Sequence, residues 1–197
     1  MLTFHSPSMG EAFWSTQALD WTAEQTRLIT HTQSLTVYLQ QTQLPVRVQV
    51  LYSGAGTMTA SEQAASQWPN KQPIFIREVL LRLNEMPVIL ARSICQLPLA
   101  HANHTDPNHF WLNLLNRGNH PLGLNLFHPE GQIQACTLHY AQFMPQFYAH
   151  AAQSFLTQSP LPARCRFFEH QSSHLLVTEF FLPELFPFFL NQSTNLP

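Results

Sequence analysis

Residues 73–97, PIFIREVLLRLNEMPVILARSICQL, read as two apolar strands separated by Asn84-Glu85-Met86 and a proline, the pattern of a β-hairpin. Side chains alternate across a strand, so Arg77 shares its face with Phe75, Val79, Leu81 and Leu83, and Arg92 shares its own with Val88, Leu90 and Ile94. A tight turn at Asn84-Glu85 places Arg77 opposite Arg92 on one face of the hairpin. Two neighbouring guanidiniums on an apolar surface repel each other, and each is costly to desolvate without an anion.

A carboxylate stands in a similar setting near the C-terminus. In SSHLLVTEFFLPELFPFF, residues 172–189, Glu179 falls on the strand face of Leu175, Val177 and Phe181. One carboxylate cannot neutralise two arginines. Either Glu179 forms a buried ion pair with one of them while the other reaches the rim, or the three line a pocket for an anionic ligand. Arginine suits the second case because its planar fork matches a carboxylate in bidentate fashion.

Further strands are expected in PVRVQVLY, QIQACTLHY and ARCRFFEH. Asp20 begins the helix-compatible DWTAEQTRLITHT, and Ser34 is placed to cap SLTVYLQQ, which makes one helix-turn-helix pair. A second pair comprises DPNHFWLNLLNRG, with Asp106 as cap and Gly118 as terminator, and HPLGLNLF, which opens on Pro121. Leu35 and Leu122 thus sit in first helical turns, where unsatisfied amides favour negative charge. PQFYAHAAQSFL is a helix or a long excursion, and no internal repeat is apparent. The expected fold is α+β: a single domain over 1–197, about six mostly antiparallel strands, helices on one side and two helix-turn-helix flaps over an internal ligand site. Residues 1–17 and 191–197 are expected to be peripheral or frayed.

Composition narrows the function. With one lysine, Lys71, and a formal net charge of -2, the chain lacks the clustered cations that track a phosphate backbone, so nucleic acid is excluded as a partner. Cys95, Cys136 and Cys165 are odd in number and far apart, which rules out a disulfide framework and a CxxC motif and fits a reducing cytoplasm. The N-terminus has no basic and apolar signal pattern, and no apolar run approaches a membrane span. His101, His104 and His109 cluster in HANHTDPNHF without a standard ligand set, so no metal or other cofactor is expected. A monomer is expected.

Four blocks give the chain its resemblance to a known family: IREVLL with Arg77, PVILARSICQLP with Arg92, NHPLGLNLF with Leu122 and Gly123, and LLVTEFFLPE with Glu179. In order and spacing they resemble the chorismate lyase family, with weaker agreement in LDWTAEQTRLITHTQSLTVYL and ARCRF. The resemblance implies a carbon–oxygen lyase that removes pyruvate from chorismate to give 4-hydroxybenzoate, the first committed step towards ubiquinone. It implies catalytic roles for Arg77 and Glu179 and ligand contacts from Leu35, Arg77, Leu122 and Glu179, with Arg92 and Gly123 in the same region. Residues 144–161 depart from the family pattern as an insertion. An apolar pocket holding an aromatic acid also implies strong product inhibition. The rival expectation is a non-catalytic sensor domain of similar fold that binds a small aromatic acid, against which stands the lack of an evident DNA-binding domain.

Overall fold

The computed structural model describes residues 14–66, 68–69, 72–98, 106–128, 132–156 and 159–190. Helix α1 (Ala23–Ile29) starts at a capping box in which Thr22 and Gln25 satisfy each other's backbone amides, so Asp20 lies ahead of the helix rather than at its cap. Helix α2 (Leu35–Gln40) begins where the Ser34 hydroxyl accepts from the Val37 amide at 3.4 Å. Then follow β1 (Val46–Gly56), α3 (Ala60–Ser66), β2 (Ile74–Leu83) and β3 (Met86–Gln96). The next stretch repeats this order: α4 (Asn108–Leu115), α5 (Leu122–Leu126), β4 (Gln134–Phe143), α6 (His150–Gln153), β5 (Leu161–His170) and β6 (Ser173–Phe181). A 3-10 turn (Pro183–Leu185) and α7 (Pro187–Leu190) close the described chain.

The repeat that is invisible in the residues is therefore plain in the topology: a helix pair, a strand, a short helix and a hairpin, twice over. All neighbouring strands are antiparallel, in the order β1-β2-β3-β6-β5-β4, so the two halves join through β3 and β6 at the centre of one six-stranded sheet. The helix pairs lie on one side, as expected. The other side is closed by α3, α6 and the excursion around Phe147 and Phe155, which pack with Trp68 against Ile76, Leu80, Leu90, Ile94 and Phe180. Trp14 is buried in that cluster, and Ser15 exchanges backbone hydrogen bonds with Tyr140 at 2.9 and 2.7 Å, so the start of the described chain is not peripheral. Residues 1–13 and 191–197 lie outside the described residues.

On the helix-pair side the apolar surface divides. Leu28, Ile29, Leu35 and Leu39 of the first pair pack on Val79, Leu81, Val88 and Ile89, while Trp111, Leu115 and Leu126 of the second pack on Phe168, Leu175 and Val177. Each pair is anchored by its own cluster, worth about 1.5–3 kcal/mol for each large side chain fully buried. Between the clusters lies a cavity. No described helix is long and apolar enough to cross a membrane.

The hairpin holds the main departure from expectation. The turn is tight, with Leu83 opposite Met86 and Arg82 opposite Pro87, but the next pair is Leu81 with Ile89. Val88 is the extra residue of a β-bulge, and it joins its neighbour Ile89 in the same apolar cluster. From there on every pairing is shifted by one, so Arg77 faces Ser93 and Arg92 faces Glu78. Arg77 and Arg92 are not cross-strand neighbours. They project from opposite faces of the sheet.

Candidate ligand site between the helix pairs

Among the described residues, Arg77, Arg164, Arg166 and Glu179 are the charged ones that line the cavity, against apolar walls that include Val48, Val79, Leu81, Leu138, Phe168 and Val177. Arg77 stands on β2, the middle strand of the first half, and is almost wholly buried. Its Nη2 donates to the carbonyls of Gly118 and His120 at 2.8 and 3.1 Å, in the turn between α4 and α5. Gly118 can expose its carbonyl there because it adopts φ +58, a conformation that costs glycine little. No carboxylate among the described residues pairs with Arg77, and burial lowers its pKa from the usual guanidinium value. This is a desolvated cation held ready by carbonyl dipoles.

Arg164 occupies the corresponding place on β5, the middle strand of the second half. Its Nη1 donates to the carbonyls of Ile29, at 3.2 Å, and His31, in the turn between α1 and α2. Each half thus pins the helix pair of the other. The difference lies opposite each arginine: Arg77 faces Ser93 across β3, whereas Arg164 faces Glu179 across β6. Arg164 Nε donates to Glu179 Oε2 at 2.5 Å. Glu179 therefore does form the ion pair that one sequence expectation required, but with a β5 arginine that the expectation did not include. The pair orients the carboxylate within the cavity, where a fifth of its side chain stays exposed.

The flaps meet above these groups. Ser34, Leu35 and Thr36 from α2 and Pro121, Leu122 and Gly123 from α5 line the same cavity, so the structure brings together Leu35, Arg77, Leu122, Gly123 and Glu179. The two flaps approach closely at Gly123. A Cβ there would stand 2.5 Å from Ser34 Oγ, so a side chain would displace the hydroxyl that caps α2.

Arg92 does not belong to this set. Behind the sheet its Nε donates to Glu62 Oε1 at 2.6 Å and its Nη1 to Glu78 Oε1 at 2.5 Å, all three side chains being nearly inaccessible. Burial alone would lower the Arg92 pKa; Glu62 and then Glu78 outweigh that and hold it above the usual value. Glu78 also accepts from the amides of Tyr148 and Ala149 at 2.7 and 2.8 Å, which fastens the 144–156 excursion to the back of the sheet. Arg92 is a structural residue, and the bulge at Val88 is the reason. His101 and His104 lie outside the described residues.

His31, whose carbonyl holds Arg164, has an imidazole pKa pushed below 6.5 by burial and then by Arg164, with Glu179 opposing. His139 is shifted the same way by burial, against its hydrogen bond to the Thr137 carbonyl. Their lowered folded-state values make the unfolded chain bind more protons as pH falls. The stability this contributes is complete above pH 6.5 and is lost as pH drops through the folded values. Thermal unfolding followed by circular dichroism should show a flat Tm near neutrality and a decline on acidification below about pH 6.5. A Tm that rose over that interval would show that neither imidazole is held neutral.

A family model described as chorismate lyase matches residues 9–188, which takes in both helix pairs and all six strands. The chain belongs to the chorismate lyase family. Among relatives of this chorismate lyase family member is a probable chorismate pyruvate-lyase of Albidiferax ferrireducens, 32% identical over 142 residues that cover 68% of each chain. Another, from Nitrosomonas europaea, is 30% identical over 80% of this chain and 85% of its own. Among solved structures, the effector domain of PhnF from Mycobacterium smegmatis aligns with a TM-score of 0.53 over 78% of this chain and 91% of that one. At 12% identity that likeness concerns the fold alone. This member of the chorismate lyase family thus has the antiparallel sheet and flanking helices read from its sequence.

Proposed function

We propose that the protein is a chorismate pyruvate-lyase, converting chorismate to 4-hydroxybenzoate and pyruvate. The observation that carries this reading is a buried arginine without a carboxylate partner, Arg77, in an apolar cavity that also holds an oriented carboxylate, Glu179. Chorismate has a ring carboxylate for the first and a ring hydroxyl for the second. In the reaction the ether bond breaks, the ring carbon bearing the hydroxyl loses its proton, and the methylene carbon of the enolpyruvyl group gains one. The ring becomes aromatic, so the protein need only hold the reactant in a productive pose and favour the charge redistribution. Arg77 anchors the ring carboxylate. Glu179, steadied by Arg164, accepts a hydrogen bond from the ring hydroxyl and is placed to assist the proton. Leu35 and Leu122, in the first turns of α2 and α5, line the same space, and Gly123 allows the close approach of the two flaps.

No cofactor is required, and a cytoplasmic monomer supplying a ubiquinone precursor is the setting that fits these features. A closed, largely apolar cavity retains the aromatic product until the flaps part, so 4-hydroxybenzoate inhibits, and lid opening limits turnover. Rapid-quench measurement of pyruvate and 4-hydroxybenzoate from chorismate tests both points: a fast first turnover precedes a slower steady state. Binding of 4-hydroxybenzoate with no pyruvate formed would instead make the protein a sensor.

Glu179→Gln preserves volume while removing the charge. It should keep the fold and lower the single-turnover rate by about 10²-fold or more, the usual scale for a group assisting proton transfer, with a smaller change in 4-hydroxybenzoate affinity. A wild-type rate in that variant would leave Glu179 as the partner of Arg164 and nothing more.

A further inference from the structure

Of the charged residues lining the cavity, Arg77 and Arg166 have no carboxylate partner among the described residues, since Glu179 is engaged with Arg164. Arg166 projects from β5 two residues beyond Arg164, on the same face. Its Nη1 donates to the Thr32 carbonyl at 2.7 Å in the first flap, but its Nε is buried without a hydrogen-bond partner. A buried unpaired donor on a cation is costly, and such a group in a native fold calls for an explanation. Burial and the neighbouring Arg164 both work against its charged form. A conventional packing role would not leave that edge of the fork open.

We infer that Arg166 is the second anion anchor: it receives the enolpyruvyl carboxylate of the substrate while Arg77 holds the ring carboxylate. This rests on the reading that the substrate is chorismate. Among the described residues three cations and one carboxylate line the cavity, so a dianion brings it to neutrality and a monoanion does not. The product retains only the ring carboxylate, so Arg166 discriminates substrate from product, and its site empties when pyruvate departs. Cation-π contact with Phe127, whose ring centroid lies 6.0 Å from the guanidinium carbon, holds the side chain beside the second flap as well.

The test needs no turnover. Isothermal titration compares 4-hydroxybenzoate, a monoanion, with 4-(carboxymethoxy)benzoate, which carries a second carboxylate on an ether arm. The wild-type protein should prefer the second. In Arg166→Met that preference should fall on the order of 10–100-fold, the worth of one charged hydrogen bond, while 4-hydroxybenzoate affinity changes by less than about threefold. Arg166→Lys should restore part of the preference, and matching melting curves establish that both variants are folded. Equal losses for the two ligands, or an unchanged preference, would overturn the assignment. A protein that makes no pyruvate yet loses the preference with Arg166 would keep the anchor and discard the reaction; one that makes pyruvate without the preference would do the reverse.

Discussion

Arg77→Ala is expected to lose about 2–4 kcal/mol of transition-state stabilisation, a factor of about 30–1,000 in kcat/KM, because a charged hydrogen bond to a desolvated carboxylate is lost. The affinity for 4-hydroxybenzoate should fall alongside, since the ring carboxylate is common to substrate and product. Stability should behave differently. The unligated protein buries this guanidinium with carbonyl partners alone, so its removal relieves a desolvation cost while leaving Gly118 and His120 without a donor. These effects oppose, and the unligated Tm should stay near the wild-type value while the rise in Tm on adding 4-hydroxybenzoate disappears. Calorimetric binding equal to wild type would remove Arg77 from the site.

Arg92→Ala should have the opposite profile. It leaves Glu62 and Glu78 buried without their shared cation, and breaking a buried ion pair by deleting one partner costs about 3–5 kcal/mol. The urea midpoint should drop accordingly, and the 144–156 excursion, tied to Glu78, should become open to proteolysis first. Protein that remains folded should bind 4-hydroxybenzoate as the wild type does, because Arg92 lies behind the sheet. A variant of normal stability with selectively weakened ligand binding would contradict the register described above.

The contrast between these two arginines marks how far the sequence could be read. Alternation identified Arg77 and Glu179 as charges on apolar faces, and both line the cavity. The same rule misplaced Arg92, because alternation holds only while the strand is regular. A signal was present in Pro87-Val88-Ile89, where consecutive apolar residues follow a proline, but a bulge and a regular strand buried on both faces have the same composition. The partner of Glu179 was missed for another reason. β5 and β6 form a hairpin whose register runs without a bulge from His170 opposite Ser173, so Arg164 meets Glu179 by local pairing; the charges on the first hairpin masked it. The alternation of Arg164 and Arg166 with Ala163, Cys165 and Phe167 was legible, however, and marks a cationic face on a buried strand. At the first helix, Thr22 and Gln25 formed a readable capping box that the more conspicuous Asp20 obscured.

Val88 also sets a rule for how the chain can change over descent. Because one extra residue in β3 decides which side chains meet the ligand, the hairpin tolerates gains or losses of length only in even steps. Losing a single residue there would rotate Ser93 out of the cavity and bring Arg92 in, stripping Glu62 and Glu78 of their cation while crowding a second guanidinium beside Arg77. One deletion would thus damage stability and binding together, although the variant differs from its parent by no charge at all. The count of residues between Arg77 and Ser93 should therefore be preserved more strictly than their identities.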